Sequence, residues 1–513
     1  MDMAVESVER ESDGPWELPE GWKWVPLGLV APVNPSTSFD ELSDSAEIPF
    51  VPMAAVAEET GKIDLSTQRP LHEVSKGYVR FMEGDVIFAK ITPCMENGKV
   101  APVVGLPGRY AAGSTEFHVF RPAAVDQRFL WYWLVGRAFR GKAKRNMSGS
   151  AGQLRVPVDY LRESDFPLAP LAEQRRIVAR VDGLFAEIAE GQAALEAARK
   201  GLDTFRRALL KAAVTGELTK DWRENNPVTE TGHDLLARIR AERAAKGQAK
   251  GRGKRSPDTP PLDTATLPLL PEGWAWGTLG EIAASVRNGT SAAPRAEANA
   301  NEILRISAVR PLCVDERQIR YLDAAQAAAA SDATVESGDL LFTRYNGSAD
   351  LVGVGAIYGG SKRFYPDKII RVRLNNVLSN HLGFVELAVN CGAGRKHIAS
   401  NIKTTAGQQG LSGESLKETP IPIPPPAEAT EILRRVSEAL AASTDTLAML
   451  DAEAADAARL KQSILKAAFE GRLVPQDPAD EPASAMLARL RANPSTATPA
   501  KRGRRAKASS DKS

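Results

Sequence analysis

The chain is poor in the features that mark disulfide-bonded, metal-binding and membrane proteins. Its 513 residues include three cysteines (Cys94, Cys313 and Cys391), which lie far apart and form no CxxC pair. This spacing argues against a disulfide framework or a structural zinc and fits a reducing cytosol. No uncharged apolar run reaches about 18 residues, and the acidic N-terminus is unlike a secretion signal. We therefore expect a cytoplasmic protein without a membrane span.

Catalytic motifs are also scarce. There is no GxxxxGK[ST] phosphate loop and no GxSxG serine, and an Asn-Pro-Pro-Tyr-type adenine methylation motif is absent. The five histidines show no metal-ligand spacing. We predict that the chain is not an enzyme; an unrecognised nuclease or methylase is the alternative that these absences disfavour. The net charge of +2 means that any basic footprint for nucleic acid must be local.

What the chain does contain is an internal duplication. The string LPEGWKW at 18–24 returns as LPEGWAW at 270–276, and LKAA at 210–213 returns at 465–468. The offsets are therefore 252 and 255 residues. A period this long exceeds the roughly 20–50 residues of a solenoid repeat. We infer two complete copies of a domain with its appendage, an arrangement suited to a target in two parts.

Each copy has the same order: an α+β module, a long helix, a short helix and a basic stretch. In the modules, 84–89 and 338–343 predict matched buried strands that open with a Gly-Asp turn. The basic stretches 246–261 and 494–513 lack apolar residues, so we expect disorder, either as solvated linkers or as contacts to a polyanion. The predicted segments are 1–17 (flexible N-terminus), 18–170 (module one), 171–222 (long helix one), 223–269 (short helix and basic linker), 270–426 (module two), 427–474 (long helix two) and 475–513 (short helix and basic tail).

The long helices carry apolar or small residues in steps of four and three, the pattern of a coiled-coil seam. A helix of about 45 residues is roughly 65 Å long and would expose this seam in water, so we predict that the two helices pair antiparallel. Packing of each helix on its own module is the alternative. The first seam consists of Ile177, Val181, Leu184, Ile188, Gly191, Leu195, Ala198, Leu202, Phe205 and Leu209, with Glu173 and Gln174 at its start. The second consists of Ile432, Val436, Leu440, Leu447, Leu450, Leu460 and Ile464, weakened at Ser443 and Ala454.

Two regions of each module are candidates for nucleic-acid contact. Side chains after the buried strand offer donors and acceptors to base edges, and they differ between the copies, as expected if the copies read different sequences. A surface hairpin with solvated polar groups is the alternative. These residues are Lys90, Thr92, Asn97 and Lys99 in module one and Arg344, Tyr345, Asn346 and Ser348 in module two.

The second region is basic in both copies, which fits a sequence-independent contact with phosphate. A solvated, charged helix end is the alternative. The residues are Arg140, Lys142, Lys144 and Arg145 in module one and Arg395, Lys396, Lys403 and Thr404 in module two.

These residues together resemble the specificity subunit of type I restriction–modification systems, which act in DNA methylation and phage defence. The matching strings are the two LPEGW openings, 84–99, 113–117 and 170–177, and the likeness covers about 18–225 and 270–475. The resemblance implies two target recognition domains, each binding half of a bipartite sequence in double-stranded DNA, with Ser114 and Thr115 among the contacts. It also implies that the long helices act as a ruler between the domains.

The resemblance further implies two methyltransferase (M) subunits docked on the helices, and restriction/translocase (R) subunits joined to that core. S-adenosylmethionine, ATP and Mg²⁺ would bind to those partners, leaving this chain without a cofactor or metal. The second copy departs from the family pattern, because EATEI at 428–432 replaces EQRRI at 173–177, so we expect it to dock its partner differently. The alternative function is a two-armed coiled-coil scaffold that binds proteins without recognising DNA.

Overall fold

A computed structural model describes residues 14–150, 152–249, 262–405 and 408–492. The predicted flexible N-terminus up to 13 and the basic stretches 250–261 and 493–513 lie outside the described residues. The helix before the first basic stretch runs to Ala249, so residues 246–249, for which disorder was predicted, are helical.

Module one is a mixed α+β fold whose first and last strands pair with each other. β1 and β9 run antiparallel, and the remaining strands form two sheets in the orders β3-β2-β7-β4 and β6-β5-β8. Only the β2–β7 pairing is parallel among these strands. The strands are β1 (Lys23–Pro26), β2 (Glu47–Val51), β3 (Gln68–Pro70), β4 (Val79–Met82), β5 (Val86–Ala89), β6 (Val100–Pro102), β7 (Tyr110–Gly113), β8 (Phe117–Phe120) and β9 (Asp165–Leu168). The helices are α1 (Leu27–Val30), α2 (Leu71–Val74), α3 (Gln127–Val135), α4 (Arg137–Arg145) and α5 (Val158–Glu163), with a 3-10 turn at Met53–Ala55.

The first long helix and the linker follow as α6 (Leu171–Thr215), α7 (Lys220–Asn225) and α8 (Gly232–Ala249). The second long helix and the short helix after it are α14 (Pro426–Phe469) and α15 (Ala483–Ala492). Gly216 and Gly471 follow α6 and α14 with positive φ values of 76° and 67°. This left-handed backbone ends both helices, because glycine adopts it without steric cost.

Module two repeats the closure of module one, since its first and last strands, β10 and β24, pair antiparallel. The sheet orders are β11-β21-β17-β19, β15-β12-β20-β16, β13-β14 and β18-β23-β22. The strands are β10 (Ala275–Thr278), β11 (Ala283–Asn288), β12 (Glu302–Leu304), β13 (Val309–Arg310), β14 (Cys313–Val314), β15 (Ile319–Tyr321), β16 (Thr334–Val335), β17 (Leu340–Thr343), β18 (Tyr345–Asn346), β19 (Gly355–Ile357), β20 (Arg363–Phe364), β21 (Ile369–Leu374), β22 (Lys403–Thr405), β23 (Gln408–Gly410) and β24 (Pro420–Ile423). The helices are α9 (Leu279–Ile282), α10 (Ala324–Ala329), α11 (Leu382–Asn390), α12 (Gly392–Ser400) and α13 (Gly413–Lys417), with 3-10 turns at Ile306–Ala308, Ala349–Leu351 and Asn376–His381.

The predicted Gly-Asp turns are present, and in both modules the buried aspartate pairs with an arginine that is partly exposed. Asp85 is 1% exposed and accepts two hydrogen bonds of 2.8 Å from the guanidinium of Arg121. Asp339 is also 1% exposed and accepts bonds of 2.6 and 2.8 Å from Arg373. A bidentate pair satisfies the charge of a buried carboxylate, so both modules are built on the same polar core.

The described residues form two compact units, and each long helix contributes to both. The first unit contains the described residues up to Leu195 and those from Asp451 onward, and the second runs from Glu196 to Leu450. Each unit therefore holds one module, half of α6 and half of α14. The boundaries of the units fall within the long helices and not between the predicted modules and spacers, because helix pairing joins segments that are distant in sequence.

In the first unit the two helix halves pair antiparallel, as predicted, but the predicted seam residue Leu460 is 51% exposed. Ile177 and Val181 of α6 are buried in one cluster with Ile464 of α14, and Leu184 and Ile188 pack against that cluster half-buried. Farther along α6, Gln192 accepts a hydrogen bond of 3.0 Å from Lys461. The alternative, that each helix packs only on its own module, is wrong for this unit.

In the second unit the pairing is also antiparallel, but the seam departs from the prediction at Phe205. That ring is 48% exposed, and the neighbouring Arg206 takes the inward position, where its Nε donates to the hydroxyl of Ser443 at 2.8 Å. Ser443 is only 3% exposed, because this bond satisfies its hydroxyl. Leu202, Leu447 and Leu450 are half-buried as predicted, Leu195 is half-buried in the first unit, and Ile432 and Val436 lie in the core of the second.

The start of α6 differs from a simple seam. Glu173 and Gln174 are 1% and 0% exposed, so neither is available on the surface for a partner subunit. Gln174 accepts from the amide of Asp126 at 2.7 Å and donates to the carbonyl of Ala169 at 2.8 Å. Glu173 accepts from Trp22 at 2.9 Å and from Gln476 at 3.1 Å. These two residues hold module one and the chain after α14 to the first turn of α6.

Candidate nucleic-acid interface

In module one, the segment from Lys90 to Lys99 follows β5 and is fixed by backbone hydrogen bonds. The amide of Lys90 donates to the carbonyl of Glu116 at 2.9 Å, and the amide of Thr92 donates to that of Leu154 at 3.0 Å. Met95, in the middle of the segment, is fully buried in the core. The segment is therefore a compact turn that the buried side chain of Met95 anchors to the core. The polar sequence around Met95 did not indicate this feature.

The polar side chains of this turn are bonded to the rest of the module. Nζ of Lys90 donates to the carbonyl of Thr115 at 2.6 Å, and Nζ of Lys99 donates to that of Met53 at 3.1 Å. The exposed Asn97 donates to Glu58 at 2.9 Å, and the hydroxyl of Thr92 donates to the carbonyl of Leu154 at 3.4 Å. Any contact of these groups with bases would replace internal hydrogen bonds, so base reading here stays a prediction.

An ion pair next to this turn was missed by the sequence reasoning. Glu116 accepts two hydrogen bonds, of 2.9 and 2.8 Å, from the guanidinium of Arg155, which lowers the pKa of Glu116. Ser114 accepts from the amide of Glu116 at 3.2 Å, while the side chain of Thr115 is exposed. Burial lowers the pKa of Lys90, whose nearest opposite charge is Glu116. The structure thus brings Lys90, Ser114 and Thr115 together around one carboxylate.

A polar cavity of about 350 Å³ opens beside the turn. Lys90 and Arg80 contribute its two cationic side chains, and the polar groups of Asn34, Ser36 and Thr37 line the rest with apolar neighbours. The guanidinium of Arg80 packs over the ring of Phe39, 4.9 Å from its centre. This cavity has the charge to accept an anionic group such as a phosphate.

The basic residues of α4 divide into two groups. Arg140 is 6% exposed, and its guanidinium donates to the carbonyls of Val135 (2.9 Å) and Glu96 and pairs with Glu59. Its prediction as a phosphate contact is therefore wrong, because the guanidinium is used inside the module. The remaining three cations are exposed: Lys144 pairs with Glu96 at 2.5 Å, whereas Lys142 and Arg145 make no ion pair with the described residues.

In module two, the residues after the equivalent strand β17 lie at a three-stranded ribbon. The guanidinium of Arg344 packs over the ring of Tyr345, 4.9 Å from its centre. Asn346 accepts from the amide of Ser348 at 3.1 Å, and the Ser348 side chain is exposed. Tyr345 and Asn346 form β18 and pair with β23. The ribbon gives module two a scaffold for polar side chains that differs from the turn of module one.

The basic region of module two is also only partly exposed. Arg395 donates to the carbonyls of Val352 at 2.7 Å and Asp350 at 2.8 Å, and burial lowers its pKa. This use of the guanidinium inside the module contradicts the prediction of a free phosphate contact. Lys396, on α12, and Lys403 and Thr404, on β22, have exposed side chains and remain candidates.

The ribbon contains one residue that the sequence reasoning did not select. Gln409 on β23 lies directly opposite both Asn346 and Thr404, and its side-chain oxygen is buried without a hydrogen-bond partner among the described residues. The sequence signal was the pair of glutamines at 408–409, which follows Lys403 and Thr404 of the predicted basic region.

The described part of the chain contains no group of three or more His, Cys, Asp and Glu side chains that could hold a metal ion. No helix among the same residues is both long and apolar enough to cross a bilayer. The two α+β modules share a framework but carry unlike polar surfaces, and a long helix follows each of them. These features define a class of two-module recognition protein.

Comparisons with known proteins place the chain within that class. A family model for the type I restriction modification DNA specificity domain matches residues 19–197. The EcoEI specificity subunit of Escherichia coli is 30% identical, over 83% of this chain and 79% of its own length. The EcoKI specificity subunit of Escherichia coli (strain K12) is 27% identical over 93% and 96%, respectively. The chain belongs to the family of type I restriction–modification specificity subunits, the non-catalytic DNA-recognition subunits of those systems.

A solved structure shares the fold. A chain from a structure that concerns complex assembly and conformational transition of the type I R-M system aligns with a TM-score of 0.61 at 20% identity. The alignment covers 89% of this chain and all of the other. The predicted α+β class, with two modules and long paired helices, is confirmed by this match.

Proposed function

We propose that this specificity subunit reads a bipartite sequence in double-stranded DNA, one half with each module. The observation that carries the proposal is the contrast between framework and surface. The ion pairs Asp85–Arg121 and Asp339–Arg373 are repeated, whereas the compact turn after β5 has a β-ribbon as its counterpart after β17. A conserved scaffold with divergent polar surfaces is what reading two different half-sites requires.

The proposed partners are two methyltransferase subunits, with restriction/translocase subunits added to that core. Exposed apolar side chains on the long helices support the docking of partner subunits there, because Phe205, Met449 and Leu460 are 48%, 69% and 51% exposed. In the first unit, a cavity of about 640 Å³ lined by Ile188 and Leu195 lies between the two helices beside Leu460. Exposed apolar side chains that form a contiguous patch are typical of protein contact surfaces.

The chemistry of such an assembly would lie on the partners. S-adenosylmethionine would supply the methyl group, and ATP with Mg²⁺ would drive translocation, so this chain would contribute position and sequence choice. Since its proposed substrate is cellular and invading DNA, we place it in the cytoplasm.

The experiment compares methylated adenines in the source genome with and without the gene for this chain, by long-read sequencing. We expect one bipartite motif, two short sequences separated by an unspecified gap, whose methylation disappears when the gene is deleted and returns with a plasmid copy. Unchanged methylation after deletion would contradict the proposal and favour the scaffold that does not recognise DNA.

A further inference from the structure

β18, β23 and β22 form a three-stranded antiparallel ribbon in module two. Its register places Asn346 opposite Gln409, and Gln409 opposite Thr404. Residues directly opposite one another in antiparallel strands lie on the same face. One row across the ribbon therefore carries two amides and one hydroxyl. We call Asn346, Gln409 and Thr404 the amide row.

The central residue of the amide row has an unused hydrogen-bonding group. Oε1 of Gln409 is buried and accepts no hydrogen bond from any described residue. Buried polar side-chain atoms have a partner in the large majority of cases, so an uncommitted amide oxygen is a candidate for ligand binding. Thr404, beside it, is exposed, and the Oδ1 of Asn346 accepts from the amide of Ser348 at 3.1 Å, which orients that side chain.

The neighbouring row supports the ribbon. Tyr345, Gly410 and Lys403 lie opposite one another, and the ring of Tyr345 covers Gly410 so closely that a Cβ there would lie 2.5 Å from it. Glycine is therefore required at 410 for the aromatic ring to pack. Lys403 is exposed and precedes Thr404 on β22, so its side chain lies on the opposite face of the ribbon from the amide row.

We propose that Gln409, with Asn346 and Thr404 beside it, reads a base of the half-site bound by module two, and that the base is adenine. A β-ribbon is one of the elements that the major groove admits, and a side-chain amide matches adenine through N6 and N7. Rotation of the Gln409 side chain on binding, a common change at interfaces, would present its oxygen to N6–H and its nitrogen to N7. The inference rests on the proposed function, because it requires module two to contact DNA.

The test selects bound sequences from a pool of random double-stranded DNA, using the full chain with the subunits that co-purify with it. The wild type and Gln409→Ala, Gln409→Glu and Gln318→Ala variants are compared. Gln318 is also half-buried in module two, but it accepts from Ser307 at 3.1 Å and lies outside the ribbon, so it provides the matched control.

We expect Gln409→Ala to lose discrimination at one A·T position of one half-site, by about 5- to 150-fold, with the other half-site unchanged. Gln409→Glu is expected to favour cytosine at that position, since a carboxylate accepts from cytosine N4. Gln318→Ala should select the wild-type sequence. Retained discrimination at the other positions of the same half-site shows that module two of each variant is folded.

The same bipartite sequence and discrimination from all three variants would overturn the inference while leaving the proposed function intact. If the wild type selects no bipartite sequence, the proposed function fails and the inference fails with it.

Discussion

The indole nitrogen of Trp22 donates a hydrogen bond of 2.9 Å to Glu173, joining the start of module one to the first turn of α6. Trp274 and Glu428 repeat this bond at 2.9 Å in the second copy. The backbone repeats it too: Ala483 donates to the carbonyl of Gly21 at 2.9 Å, and Gly232 donates to that of Gly273 at 2.8 Å. Module one is therefore bonded to α15, which follows module two in the chain. Module two is bonded to α8, which follows module one.

The carboxylate of Glu173 is central to this junction in the first unit. We expect Glu173→Ala to lower the free energy of unfolding by about 1–3 kcal/mol, because it leaves the buried indole donor of Trp22 unsatisfied. Urea denaturation measures the change. Glu190→Ala, at an exposed position of the same helix, is the matched control, with an expected change within about 0.5 kcal/mol. Equal effects of the two variants would show that the junction contributes nothing specific.

A buried histidine in β8 predicts a pH dependence of stability. Nε2 of His118 donates to the carbonyl of Val156 at 2.9 Å, and Nδ1 accepts from Asn34 at 2.9 Å, so the ring is neutral. Burial lowers its pKa below the ordinary 6.5. The unfolded chain therefore binds a proton at pH values where the folded chain does not, and this contribution to stability is lost as the pH falls below about 6.5.

His118→Gln removes that titration. We expect the wild type to exceed the variant in unfolding free energy by more at about pH 7.5 than at about pH 5.5, measured by urea denaturation at both. The comparison at each pH cancels the titration of all other groups. A gap that stays constant or widens as the pH falls would contradict the assignment of a neutral, buried ring.

Two cations of α4 remain candidates for phosphate contact. Lys142→Ala with Arg145→Ala should weaken binding to all DNA sequences about equally, because phosphate contacts carry no base information. The slope of log K against log salt should become shallower by about 1.8, at about 0.9 per contact. The control is Lys62→Ala with Lys76→Ala, which removes two exposed lysines of the same module that are not part of α4. An identical slope in both double variants would rule out the contact.

The long helices predict how the gap between half-sites is set. Both α6 and α14 continue from one compact unit into the other. Inserting seven residues near 195–198 of α6, matched by seven near 451 of α14, keeps the apolar seam in register and adds about 10 Å of helix. We expect the methylated motif to keep both half-sites with a longer gap. A motif with the original gap would contradict the role of the helices as a ruler.

Features fixed by local chemistry were predictable from the sequence. The Gly-Asp turns and the matched buried strands that follow them were predicted from backbone preference and apolar pattern, and the structure has them at β5 and β17. Their recurrence at a constant offset also indicated the duplicated architecture.

The wrong predictions concern side chains whose polar groups are already hydrogen-bonded within the fold, or whose place in the seam another residue takes. Arg140 and Arg395 are in basic runs, yet their guanidinium groups donate to the carbonyl oxygens of Glu96 and Val352, which are distant in sequence. Phe205 fits the spacing of the seam, yet Arg206 turns inward because Ser443 on the other helix offers a hydroxyl. Gln409 gained its significance only from the register with Asn346. Such tertiary hydrogen bonds leave no periodic signal in a single sequence.

The most direct test of the account exchanges one module and reads the methylated motif. Residues 23–168 are replaced by the corresponding segment of a relative with a different known target, keeping Trp22 so that its bond to Glu173 is retained. Long-read mapping of methylated adenines should then show one half-site replaced by that of the donor, with the second half-site and the gap unchanged. A motif identical to that of the wild type, from a folded and active complex, would contradict the claim that each module reads its own half of the target.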